Sequence, residues 1–198
     1  MEVTTPHGPA RVEIDEVDRP SFLLVLTHGS AGGVDAPDLL AVRQAVLGIG
    51  ATVARVVQPF RLKGARAPGS AVKQDEAWVS IVTGLRETYA GLPLIQGGRS
   101  NGARVACRTA TAVGAAAVVA LAFPLHPPGR PERSRAEELR RAGTDVLVIN
   151  GDRDPFGVPD AADAARLVVL EGEGHDLNRE PARVGEVVAD WLEGLRLR

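Results

Sequence analysis

Leu94-Ile95-Gln96-Gly97-Gly98-Arg99-Ser100-Asn101-Gly102-Ala103-Arg104 is the stretch whose reading decides the fold. An apolar run ends in glycines, a serine follows, a further glycine comes two residues later, and a helical pattern begins. Gly98, Arg99, Ser100, Asn101 and Gly102 spell G-x-S-x-G between a strand and a helix. The demand behind that spelling is steric. A serine on so sharp a turn sits in a strained conformation, and the residues two before and two after pack too closely for a β-carbon. Such a turn lifts the hydroxyl above the sheet edge and points the next backbone N–H into the same space.

Outward from this turn, the chain of 198 residues suffices for one domain, expected over 1–198, with a sizeable core. The 44% hydrophobic and 24% charged residues are those of an ordinary soluble globule. Net charge is -2 with no basic stripe of interleaved aromatics, which argues against nucleic acid as a partner. Cys107, the lone cysteine, has no internal disulfide partner and falls in a helical pattern, where it reads as core. The start at Met1-Glu2-Val3-Thr4-Thr5 has neither a charged n-region nor an apolar h-region. The longest apolar run, 112–123, is too short to span a bilayer. A soluble, cytoplasmic protein that uses no membrane is the expectation.

Strand and helix patterns alternate along the chain. A half-exposed strand, expected at a sheet edge, covers 10–17, preceded by a turn at His7-Gly8-Pro9 that suits a hairpin. The run 22–27 is apolar on both faces, as in a buried parallel strand, and ends in His28-Gly29-Ser30. A helix is expected over 35–47, a strand over 52–57, then a loop over 58–71. Gly64 and Gly69 in that loop have phosphate-loop spacing, but Ser70 stands where the lysine must be, so that reading fails. A helix over 75–89, a strand over 92–96 and a helix over 101–112 flank the serine turn. Strands over 116–122, 146–150 and 167–170 alternate with short helices over 135–141 and 160–166, and a helix over 182–195 closes the chain. The segment Phe123 to Pro131, rich in proline, is a stiff extended loop. This alternation predicts an α/β fold with a mostly parallel central sheet and helices on both faces.

In such sheets the loops after the carboxyl ends of the strands share one rim. Ser100, Asp154 and His175 all follow expected strands, so they can meet there. The chemistry asks for each type. A serine hydroxyl is a poor nucleophile until a base takes its proton, and histidine has the pKa for that task. A carboxylate behind the imidazole holds its tautomer and stabilises the cation. A developing oxyanion needs preorganised donors, for which the N–H groups of Asn101 and Ser30 are the candidates. Asp152 competes with Asp154 for the acid. Arg99 and His126 are candidate pocket-lining residues: Arg99 either pairs with a carboxylate as a brace or reads substrate charge, and His126 either lines the site or packs. His28 is expected to bond backbone in the loop that carries Ser30. No metal or cofactor is expected, because His7, His28, His126 and His175 are widely spaced without H-E-x-x-H or C-x-x-C.

The chain resembles the α/β-hydrolase superfamily over nearly its whole length. The resemblance rests on His28-Gly29, the serine turn, Gly151-x-x-Asp154-Pro155 and Gly172-x-Gly174-His175, in the chain order Ser, Asp, His. Among small members it is similar to dienelactone-hydrolase-like and esterase-like proteins with no cap domain. Gly97 to Gly102, Phe123 to Gly129 and Gly151 to Gly157 resemble a narrower branch of bacterial proteins that also includes a eukaryotic chromatin-complex subunit. The resemblance implies that Asp154, three residues after Gly151, is the acid. It implies a serine hydrolase acting on an ester or thioester of a small acyl group through an acyl-enzyme. Acyl transfer on the same triad, or a binding and scaffold module with weak catalysis, are the other uses of such a fold. Arg99 departs from the aromatic, histidine or apolar residue common before the serine, so the resemblance carries no substrate class.

Overall fold

The structure, a computed structural model, describes residues 1–65 and 67–195. Arg66 of the expected loop over 58–71, and the end of the expected 1–198 domain beyond 195, lie outside the described residues. The strands are β1 (Glu2–Thr5), β2 (Gly8–Asp15), β3 (Phe22–Thr27), β4 (Ala51–Val57), β5 (Leu94–Arg99), β6 (Ala117–Leu121), β7 (Asp145–Gly151) and β8 (Arg166–Leu170). The helices are α1 (Pro37–Gly48), α2 (Pro59–Leu62), α3 (Ala71–Thr88), α4 (Asn101–Val113), α5 (Ala136–Arg140) and α6 (Pro181–Gly194).

All eight strands form one sheet of order β1-β2-β4-β3-β5-β6-β7-β8. From β4 to β8 every pairing is parallel, and only β1–β2 and β2–β4 are antiparallel. β3 and β5 are neighbours although β4 lies between them in sequence, so the winding direction reverses there. Loops leaving strands on the two sides of such a switch diverge and open a crevice. The loop after β3 carries Ser30 and the turn after β5 carries Ser100.

The period-two alternation of β3 explains why it is apolar throughout. Phe22, Leu24 and Leu26 pack in the cluster with α1 and α6, while Leu23 and Val25 pack in the cluster with α3 and α4. Each helix answers with a stripe at helical spacing, such as Trp78, Ile81, Val82 and Leu85 of α3 or Val184, Val187, Val188, Trp191 and Leu192 of α6. Burying each such side chain contributes about 1.5–3 kcal/mol. Gln96 is the polar exception in β5. Its Oε1 accepts from Trp78 Nε1 at 2.7 Å and its Nε2 donates to Ala106 O at 2.7 Å, tying α3 and α4 to the strand that carries the serine. Cys107 is fully buried, and burial pushes its thiol well above the ordinary range, as suits a core residue. Among the described residues no helix is long and apolar enough to cross a membrane.

Four local expectations are corrected. The strand β2 is not at the edge, because β1 folds back through the turn at Pro6-His7, one residue before the expected one, and pairs with it. The loop over 58–71 contains α2, started by Pro59, whose fixed φ suits a first helical position. α3 begins at Ala71 rather than 75, since the Ser70 side chain accepts from Lys73 N–H at 3.4 Å and caps it. The helix expected over 160–166 is a single 3₁₀ turn, Ala161–Asp163, whose Ala162 N–H donates to the Asp160 carboxylate at 2.8 Å, and β8 starts at Arg166.

Candidate active site

Ser100 sits between β5 and α4 at φ 54° and ψ −114°, a region few side chains occupy. Such a backbone costs about 1–3 kcal/mol and persists only where its surroundings hold it. Here they do: its N–H donates to Leu121 O at 2.9 Å, and a β-carbon on Gly98 would stand 2.6 Å from Thr27 O. One on Gly102 would stand 2.8 Å from both Thr27 O and His28 O. The two glycines thus let the turn pack directly on the end of β3.

His175 comes from the loop after β8 and Asp154 from the loop after β7. Ser100 Oγ lies 2.8 Å from His175 Nε2, and His175 Nδ1 lies 2.8 Å from Asp154 Oδ2. The carboxylate side chain is fully buried, and the imidazole is mostly so. Asp154 Oδ1 accepts from Phe156 N–H at 2.8 Å, while the Phe156 ring lies 4.2 Å, centre to centre, from the His175 ring. Asp152 does not compete for the imidazole: its Oδ1 accepts from Gly172 N–H at 2.7 Å as a turn residue. One organiser escaped the sequence reading. Asn150, fully buried at the end of β7, accepts from Phe123 N–H and donates to Phe123 O and Gly157 O, so it closes the loop that presents Asp154. An asparagine in an otherwise apolar strand was its only signal.

The loop after β3 is pinned from beneath. His28 is buried, its Nε2 accepts from Gln58 N–H at 3.1 Å, and its Nδ1–H therefore donates to Gly29 O at 2.7 Å. Burial lowers its pKa, which keeps the ring neutral as this tautomer requires. Arg61 of α2 donates to Gly32 O at 2.8 Å and to Ala31 O. Ser30 is so held at the cleft opposite Asn101, the first residue of α4, whose N–H has no intrahelical acceptor. The Asn101 side chain turns away, donating to Gln74 Oε1 at 2.7 Å.

Arg99 is a brace. Its Nη2 donates to His175 O at 3.1 Å and to Asp176 Oδ1 at 2.5 Å. Its Nε stands 3.1 Å from Oδ2 of the fully buried Asp38, an ion pair whose N–H is not aimed for a hydrogen bond. Burial outweighs the Arg99 charge there and pushes the Asp38 carboxyl up to about 6. His126 packs rather than lines the cleft. Its ring lies against Gly157, where a β-carbon would stand 2.4 Å from Nε2, and its Nδ1 is 2.9 Å from Pro127 O.

The cleft over Ser100 has a volume of about 390 Å³ and is walled by Ser30, Arg99, Arg104, Arg135, Phe156 and His175 among others. Among the described residues there is no group of three or more His, Cys, Asp or Glu that could hold a metal ion. The arrangement can move a proton from a serine hydroxyl to an imidazole whose far side is held by a carboxylate.

A family model described as an alpha/beta hydrolase domain matches residues 20–187. Est1E from Butyrivibrio proteoclasticus with ferulic acid bound is similar in structure, with TM-score 0.80, 16% identity and 98% of each chain covered. An alpha/beta serine hydrolase without lid from Xanthomonas campestris has TM-score 0.75 at 20% identity, covering 98% of this chain and 93% of that one. A dienelactone hydrolase from Anabaena variabilis has TM-score 0.78 at 16% identity, covering 100% and 97%.

Proposed function

We propose that this chain, which belongs to the alpha/beta hydrolase family, is a serine hydrolase that cleaves an ester or thioester of a small acyl group. The observation that carries this reading is the unbroken line Asp154–His175–Ser100, with 2.8 Å at each step.

In the reaction Ser100 Oγ attacks the carbonyl carbon while His175 Nε2 takes its proton, and the imidazolium is held by Asp154. The oxyanion is received by the N–H groups of Asn101 and Ser30, each worth roughly 3–4 kcal/mol in the transition state. His175 returns the proton to the departing alkoxide or thiolate, leaving an acyl-enzyme. Water then attacks with the same histidine as base, releasing the acid and restoring Ser100. The strained φ of Ser100 supports this reading, since strain of that kind is retained where it positions a reacting group. The site of action is the cytoplasm, a reading supported by the single unpaired Cys107.

A fluorophosphonate probe tests the assignment. Wild-type protein should be labelled and Ser100→Ala should not, with short-chain p-nitrophenyl esters turned over by the first alone. A folded wild type that neither labels nor turns over would end the hydrolase reading.

A further inference from the structure

Three guanidinium groups line the cleft beside Ser100, those of Arg99, Arg104 and Arg135. Their partners differ in kind. Arg99 faces Asp38 and Asp176. Arg104 makes a two-point pairing with Glu138, at 2.8 and 2.7 Å. Arg135 has no carboxylate within ion-pair distance among the described residues, and its Nη1 donates only to the neutral Pro124 O, at 2.9 Å. Glu138, in the helix that Arg135 precedes, is already shared between Arg104 and Arg108. Burial, and then the charge of Arg104, pull the Arg135 pKa down, as befits a cation among too few anions.

We infer that Arg135 is the specificity-determining residue of this cleft, receiving a carboxylate carried by the ester substrate. The inference rests on the serine hydrolase reading and adds the substrate's charge to it. One donor of the guanidinium is spent on Pro124 O, and the planar fork keeps others free for two-point pairing with a carboxylate. Arg99 and Arg104 are spent on their own carboxylates, Asp38 and Asp176 for the one and Glu138 for the other, and so do not compete with Arg135 for the ligand. The carboxylate can sit on the acyl side, as in a half-ester of a dicarboxylic acid, or on the leaving group.

Two matched pairs separate these sources: 4-nitrophenyl hydrogen adipate against 4-nitrophenyl hexanoate, and 4-carboxyphenyl butyrate against phenyl butyrate. Wild type should favour the charged member of one pair by roughly 10–100-fold in kcat/KM, the effect of one charge-assisted pairing. Arg135→Gln should collapse that preference, chiefly through KM. Arg135→Lys should restore part of it, and added salt should shrink it. Arg133→Gln, at an exposed arginine outside the cleft, should keep the preference and serves as the charge-matched control. Calorimetry reads the same subsite without turnover: of ethyl hydrogen adipate and 4-carboxyphenyl butyrate, the one carrying the carboxylate on the preferred side should bind Ser100→Ala protein at least tenfold more tightly than Ser100→Ala/Arg135→Gln. Inactivity toward all four esters would count against the hydrolase reading, while the calorimetry still decides the role of Arg135. Equal binding of both charged ligands by the two Ser100→Ala proteins, or no charge preference in either ester pair from an active wild type, would overturn the inference.

Discussion

Arg99 Nε stands 3.1 Å from Asp38 Oδ2, so the residue that precedes the serine is tied to the first turn of α1. The same guanidinium reaches His175 O and Asp176 on the histidine loop. One side chain therefore links α1 to β5, which leads into Ser100, and to the loop that carries His175.

Arg99→Ala should lower stability and activity together. Removing it leaves Asp38 buried without a counter-charge, a loss of about 3 kcal/mol at pH 7–8. The Asp176 contact is exposed and adds little to that figure. The loss should be smaller at pH 5, where Asp38 already holds its proton in the folded wild type. Urea unfolding at the two pH values, beside ester turnover, measures both effects. A mutant as stable as wild type at pH 8 would remove the brace role.

Asp38→Asn should change how stability depends on pH. The Asp38 carboxyl is raised from 3.8 to about 6 on folding, so the folded state holds its proton more tightly than the unfolded chain does. Its contribution is complete below pH 3.8 and is lost as pH rises through about 6. Relative to Asp38→Asn, wild type should therefore lose about 3 kcal/mol of stability across that window, at 1.36 kcal/mol per pH unit. His28 has the opposite sign, its pKa being lowered by burial, so it destabilises as pH falls. Both proteins contain His28, and its effect cancels in the difference. Parallel stability curves for the two proteins from pH 3.8 to pH 6 would contradict the assignment.

The two aspartates after β7 should behave differently. Asp154→Asn keeps the size but loses the charge behind His175 Nδ1, and should reduce kcat by roughly 10³–10⁴-fold. Asp152→Asn keeps an oxygen to accept the Gly172 N–H and should stay within about twofold of wild type, on the small scale expected away from the reacting groups. Steady-state kinetics with one short-chain ester compares them. A large loss in Asp152→Asn with Asp154→Asn spared would reassign the acid.

The sequence by itself determined the elements and the rim. Apolar runs with period two, glycine-bounded turns and helical stripes are local signals, because each records how one segment buries its own surface. They sufficed to order the α/β alternation and to place Ser100, Asp154 and His175 after strand ends. G-x-S-x-G was equally legible, since close packing at Gly98 and Gly102 excludes a β-carbon at each. The weaker local signals misled: β1 is too short and polar to read as a strand until β2 pairs with it.

Only the tertiary structure decided which charge meets which. Asp152 and Asp154 are both acids on one turn, and their division between Gly172 N–H and the imidazole depends on where the loop leaves β7. Nothing within Arg99's own segment points to Asp38, on the helix after β3, yet the switch between β3 and β5 brings the two within 3.1 Å. Arg135 is one arginine among many in the sequence, and it is set apart only because Arg104 and Arg108 already hold Glu138. Ion pairing acts through space and falls with distance and solvent access, whereas patterning acts along the chain. For that reason the fold and the serine were readable from the order of residues, while the partners of Arg99 and the lack of a carboxylate beside Arg135 among the described residues were decided by packing.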